Sequence, residues 1–473
     1  MITKTTIVAT LGPATASEAM IKALIDRRVT VFRLNFSHGT FETHQATLDN
    51  IRRAGQTVPW AVCVMGDLCG PKIRAAQIEP EGRVEIGETV ILRADSDPGT
   101  SHCFGMTVPE LVQDVGVGQR ILIDDGSIHL FVVGKEARHL VCTVRVGGTI
   151  SSGKGINLPD TQLSIPAITE RDWAYVDWAV KNDLDYLALS FVQTAEDVKK
   201  LKARLTEKRS PIRVVAKIEK PKAVDNLDSI LDACDALLVA RGDLGVEMDL
   251  ARVPLEQKKM TALGRRVGKP VIVATQVLQS MIQSPVPTRA EASDVANAVM
   301  DYADAIMLSG ETAVGAYPVE AVEFLAHASR VTERYLEQSD QPRPPIETLP
   351  ELHERQTLAR SVAMMLDGIK VRLIVVWTES GLTARLLSKA RTDVPILALC
   401  PDGRTARQLA FYYGVLSVCV PRSKDIGDWL TQAETLCLDN GWAQKGDSIL
   451  LLPPETLLAP QNRWSITLHT IAG

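Results

Sequence analysis

The 473-residue chain has little of what marks a zinc or redox centre. Its eight cysteines, Cys63, Cys69, Cys103, Cys142, Cys234, Cys400, Cys419 and Cys437, form no CxxC, and its eight histidines form no HExxH and no paired ligand spacing. A zinc site is therefore not expected, and the cysteines, several inside apolar strand-like runs, read as reduced core residues. No GxxxxGK followed by Ser or Thr occurs, so a nucleotide has to bind without a P-loop. No stretch of about 18 apolar residues exists, and the start, MITKTTIVATLG, lacks the apolar core and cleavage site of a signal peptide. A soluble, cytoplasmic protein with no membrane partner is expected. Neither sign of charge dominates: 52 Lys and Arg stand against 57 Asp and Glu, a net of -5, which argues against nucleic acid and points to small-molecule partners. Aromatics are scarce at 5% while 45% of residues are hydrophobic, so the core is ample and mainly aliphatic; the length implies two to four domains.

What is present is a rhythm of short β-branched runs and amphipathic helical stretches. TTIVAT, TVFRLNF and WAVCVMGD read as strands, with helices near 17–26 and 41–54 between them. From about residue 72 to 165 the pattern changes to short alternating strands broken by Gly, with no convincing helix. The first rhythm then resumes with DYLALSF, IRVVAKIE, DALLVA, PVIVATQ and DAIMLS, each trailed by a helix. Three strands before the insertion and five after it predict a (β/α)8 barrel over 1–71 and 166–338, carrying an inserted small β-barrel domain over 72–165. SDQPRPPIETLP, with four prolines, reads as a linker. Beyond it the helix LHERQTLARSVAMML and the strands VRLIVVW, PILALC, GVLSVCV and SILLL predict an open α/β domain over 339–473, with a regulatory or oligomerisation role.

Active sites of such barrels lie at the C-terminal ends of the strands. Period-two alternation puts Val31, Arg33 and Asn35 on one face of the second strand, and Val215, Lys217 and Glu219 on one face of the fifth. Other strands end in Asp67, in Arg241, Gly242 and Asp243, in Thr275, and in Ser309 and Glu311. One polar strand tip is ordinarily a structural ion pair; six converging on one mouth make a site. Glu219 and Asp243 are hard oxygen ligands suited to Mg2+ or Mn2+. Arg33, Lys217, Arg241 and Arg74 supply cations for a phosphate, and RGDLG offers backbone N–H groups at a short turn. Taken alone, RGDLG is equally a tight turn with a capping Asp. The combination describes phosphoryl transfer.

The stretches TIVATLGPA, FRLNFSHGT, GPKIR, KGINLP, VVAKIEKP, VARGDLGVE, KPVIVATQVLQSMI, PTRAEASDVANAV and DAIMLSGETAVGAYP, in this order, resemble the pyruvate kinase family over essentially the whole chain. The resemblance implies transfer of the phosphoryl group of phosphoenolpyruvate to ADP, giving pyruvate and ATP. It implies that Lys217 stabilises the transferring group, that Glu219 and Asp243 hold Mg2+ (Mn2+ substituting), and that Gly242 and Asp243 meet the substrate carboxylate. Thr275 is implied beside the enol carbon on the proton path, Arg33 and Arg74 at phosphates, and Asn35, Arg74 and Lys154 at the nucleotide. The inserted domain then acts as a lid that swings over the mouth and excludes water. K+ is typical of the family, at positions matching Asn35, Ser37, Asp67 and the carbonyl of Leu68. Where K+-requiring members carry Glu, this chain has Lys72, whose own tethered charge makes the ion dispensable.

In the last domain TESGLTARLL places Thr378, Ser380 and Thr383 at a strand-to-helix turn, which suits either a phosphate or ordinary capping. Glu379 and the closing region LLPPETLLAPQNRWSITLH depart from members activated by fructose 1,6-bisphosphate, and Leu382 stands where a basic residue is frequent. A sugar monophosphate or AMP is the expected effector. A homotetramer is implied by resemblance. Two other readings compete: another Mg2+-dependent barrel acting on phosphoenolpyruvate, and an inactive sugar-phosphate sensor.

Overall fold

The computed structural model describes residues 3–339, 353–458 and 465–472. Eight parallel strands close into a barrel: Thr6–Leu11, Val29–Asn35, Cys63–Asp67, Tyr186–Leu189, Arg213–Ile218, Ala236–Ala240, Val271–Ala274 and Ala305–Leu308, the first pairing with both the second and the eighth. The alternation expected of the second and fifth strands holds. Val31 and Val215 lie in the cluster that fills the barrel interior, whereas Phe32, Leu34, Phe36, Val214, Ala216 and Ile218 lie in the one between strands and helices. Polar residues that share the inward face must therefore emerge where the strands run out.

The insertion forms a six-stranded sheet, with Arg120–Ile123 between Ile156–Asn157 and Ile128–Lys135, and a two-stranded ribbon of Gly82–Val84 and Gly148–Ile150. Both sheets enclose one apolar core that includes Val84, Leu130, Val144 and Ile150. A single helical turn, Leu111–Asp114, interrupts the strands where no helix was expected. The chain leaves the barrel at Cys69 and Gly70, whose N–H groups donate to the buried Asp172 carboxylate at 2.9 and 3.2 Å. The same carboxylate caps helix Glu170–Lys181 through Thr169, so the exit of the insertion is anchored to the helix that follows its return.

The C-terminal sheet has the order Val415–Cys419, Ile396–Cys400, Ile374–Trp377, Ser448–Leu452, all parallel, with Thr467–Thr470 added antiparallel. That edge strand is one more than the sequence reading counted; its apolar signal is a single Leu between Thr467 and His469, too weak to register. Helix His353–Gly368 precedes the sheet, and the proline-rich segment lies, apart from Ser339, outside the described residues. Phe411 and Ala410 of this domain join the barrel-interior cluster, the Phe411 ring 4.7 Å from that of Tyr186 at the start of the fourth strand. The domain thus plugs the N-terminal end of the barrel. All eight cysteines are free; Cys63, Cys142, Cys234, Cys400 and Cys437 are buried, but Cys419 is exposed and Cys69 and Cys103 are half-buried, which corrects the reading of all eight as core. No helix among the described residues is long and apolar enough to cross a membrane.

Candidate active site

At the other end of the barrel the strand tips surround a cavity of about 290 Å3. Arg33, Asn35, Ser37, Asp67, Lys72, Arg74, Lys217, Glu219 and Asp243 all line it. Asp67 is its electrostatic hub. Arg33 Nε donates to Asp67 Oδ2 at 2.7 Å, Lys217 Nζ lies 3.3 Å from Oδ1, and Arg33 also donates to Thr10 Oγ1 at 3.1 Å. Burial alone would raise the Asp67 pKa, but Lys217 and Arg33 outweigh it and hold the carboxyl below its usual range. Lys217 Nζ further contacts Glu219 Oε1 at 2.8 Å and donates to Ser190 Oγ at 2.6 Å. Burial lowers the Lys217 pKa, yet Asp67 and Glu219 more than reverse this, so its ammonium persists far above neutral pH. Burial, and after it the Glu219 charge, push the Asp243 pKa up to about 6.

Two backbone conformations fix the rim. Thr275 has φ 67°, the left-handed region that a β-branched residue almost never occupies, and its Oγ1 accepts the Gly242 N–H at 2.7 Å. Phe191 has φ 58° and turns its N–H onto Glu219 Oε2 at 2.8 Å. RGDLG is the first part of helix Arg241–Glu247 rather than a turn. Leu68 is buried with its N–H on the Ala188 carbonyl, and Lys154, which is not among the residues lining the cavity, pairs with Asp124 at 2.9 Å within the inserted domain. Burial and then the charges of Lys72, Arg74, Arg33 and Arg171 lower the His38 pKa.

Two strand tips are not free for a ligand. Arg241 reaches Asp294 at 2.7 Å and the carbonyls of Thr275 and Gln276 at 3.0 and 3.3 Å, so it is a structural clamp and not a phosphate cation. Glu311 is buried and accepts the N–H groups of Leu278 and Ser309. Thr378, Ser380 and Thr383 line a separate cavity of about 190 Å3 in the C-terminal domain, with Arg355, Glu379 and Glu455. Glu379 is engaged by Trp377 Nε1 at 2.9 Å and by Arg422. Part of the closing region, residues 459–464, lies outside the described residues.

A family model described as "Pyruvate kinase, barrel domain" matches residues 2–322, and one described as "Pyruvate kinase, alpha/beta domain" matches residues 356–453. The chain is 40% identical over 456 residues to a pyruvate kinase of Mycobacterium intracellulare, covering 95% of each. It is 39% identical over 458 residues to one of Staphylococcus aureus, covering 95% of this chain and 77% of that one. The chain belongs to the pyruvate kinase family. A crystal structure of a pyruvate kinase from Cryptosporidium parvum matches with a TM-score of 0.90 at 34% identity, over 99% of this chain and 96% of that one. As a member of the family the chain is a phosphotransferase, with the (β/α)8 architecture and α/β domain described above.

The donors of this family member fit a divalent ion of the magnesium type. No group of three His, Cys, Asp or Glu side chains is arranged to hold a metal among the described residues. Glu219 and Asp243 supply carboxylate oxygens to one cavity, and a hard cation with two protein carboxylates keeps its other positions for substrate and water. Sequence reasoning missed Ser190, Asn157, Lys220 and Glu247, which also line the cavity. The strand-end rule, applied to the fourth strand, would have found Ser190; nothing local distinguishes the other three.

Proposed function

We propose that the barrel mouth transfers the phosphoryl group of phosphoenolpyruvate to ADP, giving pyruvate and ATP. The observation that carries this reading is the meeting in one cavity of Arg33, Arg74 and Lys217 with the carboxylates of Glu219 and Asp243. Fixed cations for a phosphate stand beside hard oxygen donors, and nothing in phosphoryl transfer requires more than positioning and charge stabilisation. Lys217, aimed by Asp67, Glu219 and Ser190, faces the transferring group. Arg33, backed by Asp67, holds a phosphate oxygen, and Asn35, Arg74 and Lys154 serve the nucleotide. The Gly242 N–H, engaged by Thr275 here, turns to the substrate carboxylate beside Asp243. The Thr275 hydroxyl lies on the proton path to the enol carbon.

Mg2+ bound by Glu219 and Asp243, or Mn2+ in its place, would offset the charge of the substrate oxygens. Lys72 lines the same cavity as Asn35, Ser37 and Asp67, and its ammonium takes the place of K+ next to them and to Leu68. In the C-terminal domain, Thr378, Ser380 and Thr383 take a sugar monophosphate or AMP; Glu379 beside them disfavours fructose 1,6-bisphosphate. The division into a barrel (1–71 and 166–338), a lid (72–165) and a regulatory domain (339–473), a homotetramer and a cytoplasmic location complete the reading.

The test is a coupled assay of pyruvate from phosphoenolpyruvate, with and without ADP. Pyruvate that appears only with ADP supports the proposal. ADP-independent turnover would favour another phosphoenolpyruvate-using barrel enzyme, and no turnover a sugar-phosphate sensor. A titration with sugar monophosphates, sugar bisphosphates and AMP decides the effector.

A further inference from the structure

The inserted domain touches the barrel at a defined polar point. Asn157, on the two-residue strand Ile156–Asn157, donates from Nδ2 to Glu247 Oε1 at 2.9 Å. Among the described residues this is the one hydrogen bond between residues 72–165 and the barrel; the chain crossings at either end are otherwise covalent. Alongside it, Gly126 of the insertion faces Val246 closely enough that a Cβ would lie 3.5 Å from Val246 Cγ1. Glu247 is no ordinary surface acid. It is 3% exposed, its Oε1 also accepts Lys220 Nζ at 2.8 Å, and its Oε2 is buried without a partner.

Glu247 is the last residue of helix Arg241–Glu247, whose first turn carries Gly242 and Asp243. Lys220 follows Glu219 directly in the chain and lies over the Phe191 ring, whose own N–H holds Glu219. One carboxylate oxygen therefore joins three segments: the inserted sheet, the helix bearing Asp243 and the strand end bearing Glu219. We infer that Asn157 is the latch of the inserted domain and that Glu247 and Lys220 are positioning residues that transmit its closure to the two metal-binding segments. The inference rests on the assignment of Glu219 and Asp243 proposed above. Opening replaces the Asn157 amide with water while Lys220 remains on Glu247, so the carboxylate is never left alone and the latch is reversible.

The test exchanges the partners. Asn157→Asp sets a carboxylate against Glu247 and holds the domain open. It is expected to raise the KM for ADP roughly tenfold with a much smaller change in kcat, since saturating nucleotide drives closure. Amide hydrogen exchange in peptides covering 120–123, 156–158 and 241–247 is expected to quicken in the same variant. Adding Glu247→Gln restores an amide-to-carboxylate pair in the reverse sense, and recovery of the KM and of exchange protection in the double variant supports the latch. Unchanged exchange, or losses that simply add in the double variant, overturns it. Phosphoryl transfer in the unmodified enzyme tests the underlying site separately, so the two can fail independently.

Discussion

The two domains carried by the barrel are attached by opposite means. Among the described residues the inserted domain reaches the barrel mouth through one hydrogen bond, Asn157 to Glu247. The C-terminal domain is held at the other end by a buried ionic network. Lys389 Nζ and Arg391 contact Asp304 at 2.7 and 3.1 Å, Lys389 also donates to the Lys269 carbonyl at 2.8 Å, and Arg407 Nε meets Asp185 at 2.7 Å. Tyr186 Oη donates to the Gln408 carbonyl at 2.8 Å, and Phe411 seals the interior. Burial pulls the Lys389 pKa down to about 8 even against Asp304, so this network is costly to desolvate and specific in geometry. The contrast follows from what each end must do. On the proposed reading substrates enter and leave at the mouth, which has to open; the base only has to stay packed.

The comparison predicts that damage at the base appears as lost stability and damage at the mouth as lost rate. Asp304→Ala should have the largest effect, because it strands two buried cations and removes the acceptor of the Val271 N–H. A loss of about 3–5 kcal/mol in denaturant unfolding is expected, with KM values of any remaining folded enzyme little changed. Lys217→Met should lower kcat by roughly 10²-fold or more, because it removes the fixed charge at the transferring group. It also takes a buried partner from Asp67 and Glu219, so the rate is read on purified enzyme shown to be folded by circular dichroism. Near wild-type turnover of the purified variant would contradict the role given to Lys217.

A subtler change at the mouth is Lys72→Glu. The unmodified enzyme is expected to be fully active with tetramethylammonium as the only monovalent cation, and the variant to acquire dependence on K+, read as rate against K+ concentration. Loss of wild-type turnover without K+ would return Asn35, Ser37 and Asp67 to the role of K+ ligands. The smallest effect is a pH slope at the base. Burial raises the Asp185 pKa to about 6, against the partial relief from Arg407. Between its ordinary value of 3.8 and about 6, the folded protein keeps a proton that the unfolded chain has released. Folding stability therefore falls as pH rises through that window, and Asp185→Asn should flatten that part of a stability profile measured by urea unfolding.

Alternation along the chain determined much of this on its own. The β-branched runs and their trailing helices identify eight barrel strands, and the period-two rule puts Arg33, Lys217 and Asn35 on inward faces, because strand side chains alternate whatever the strand pairs with. Residue type alone also separates Glu219 and Asp243, as hard donors, from the cations around them. Partners are another matter, since they are set by elements distant in the chain. Arg241 is a strand-tip cation by sequence, and only the return of helix Arg289–Met300 brings Asp294 to neutralise it, 53 residues later. Ser190 becomes the acceptor for Lys217 because the fourth and fifth strands are neighbours in register, with Leu189 opposite Ala216. Asn157 looks like any polar residue at the end of an inserted strand until the inserted sheet folds back to within 2.9 Å of Glu247, 90 residues away. Local periodicity says which way a side chain points; the packing of whole elements decides what it finds there.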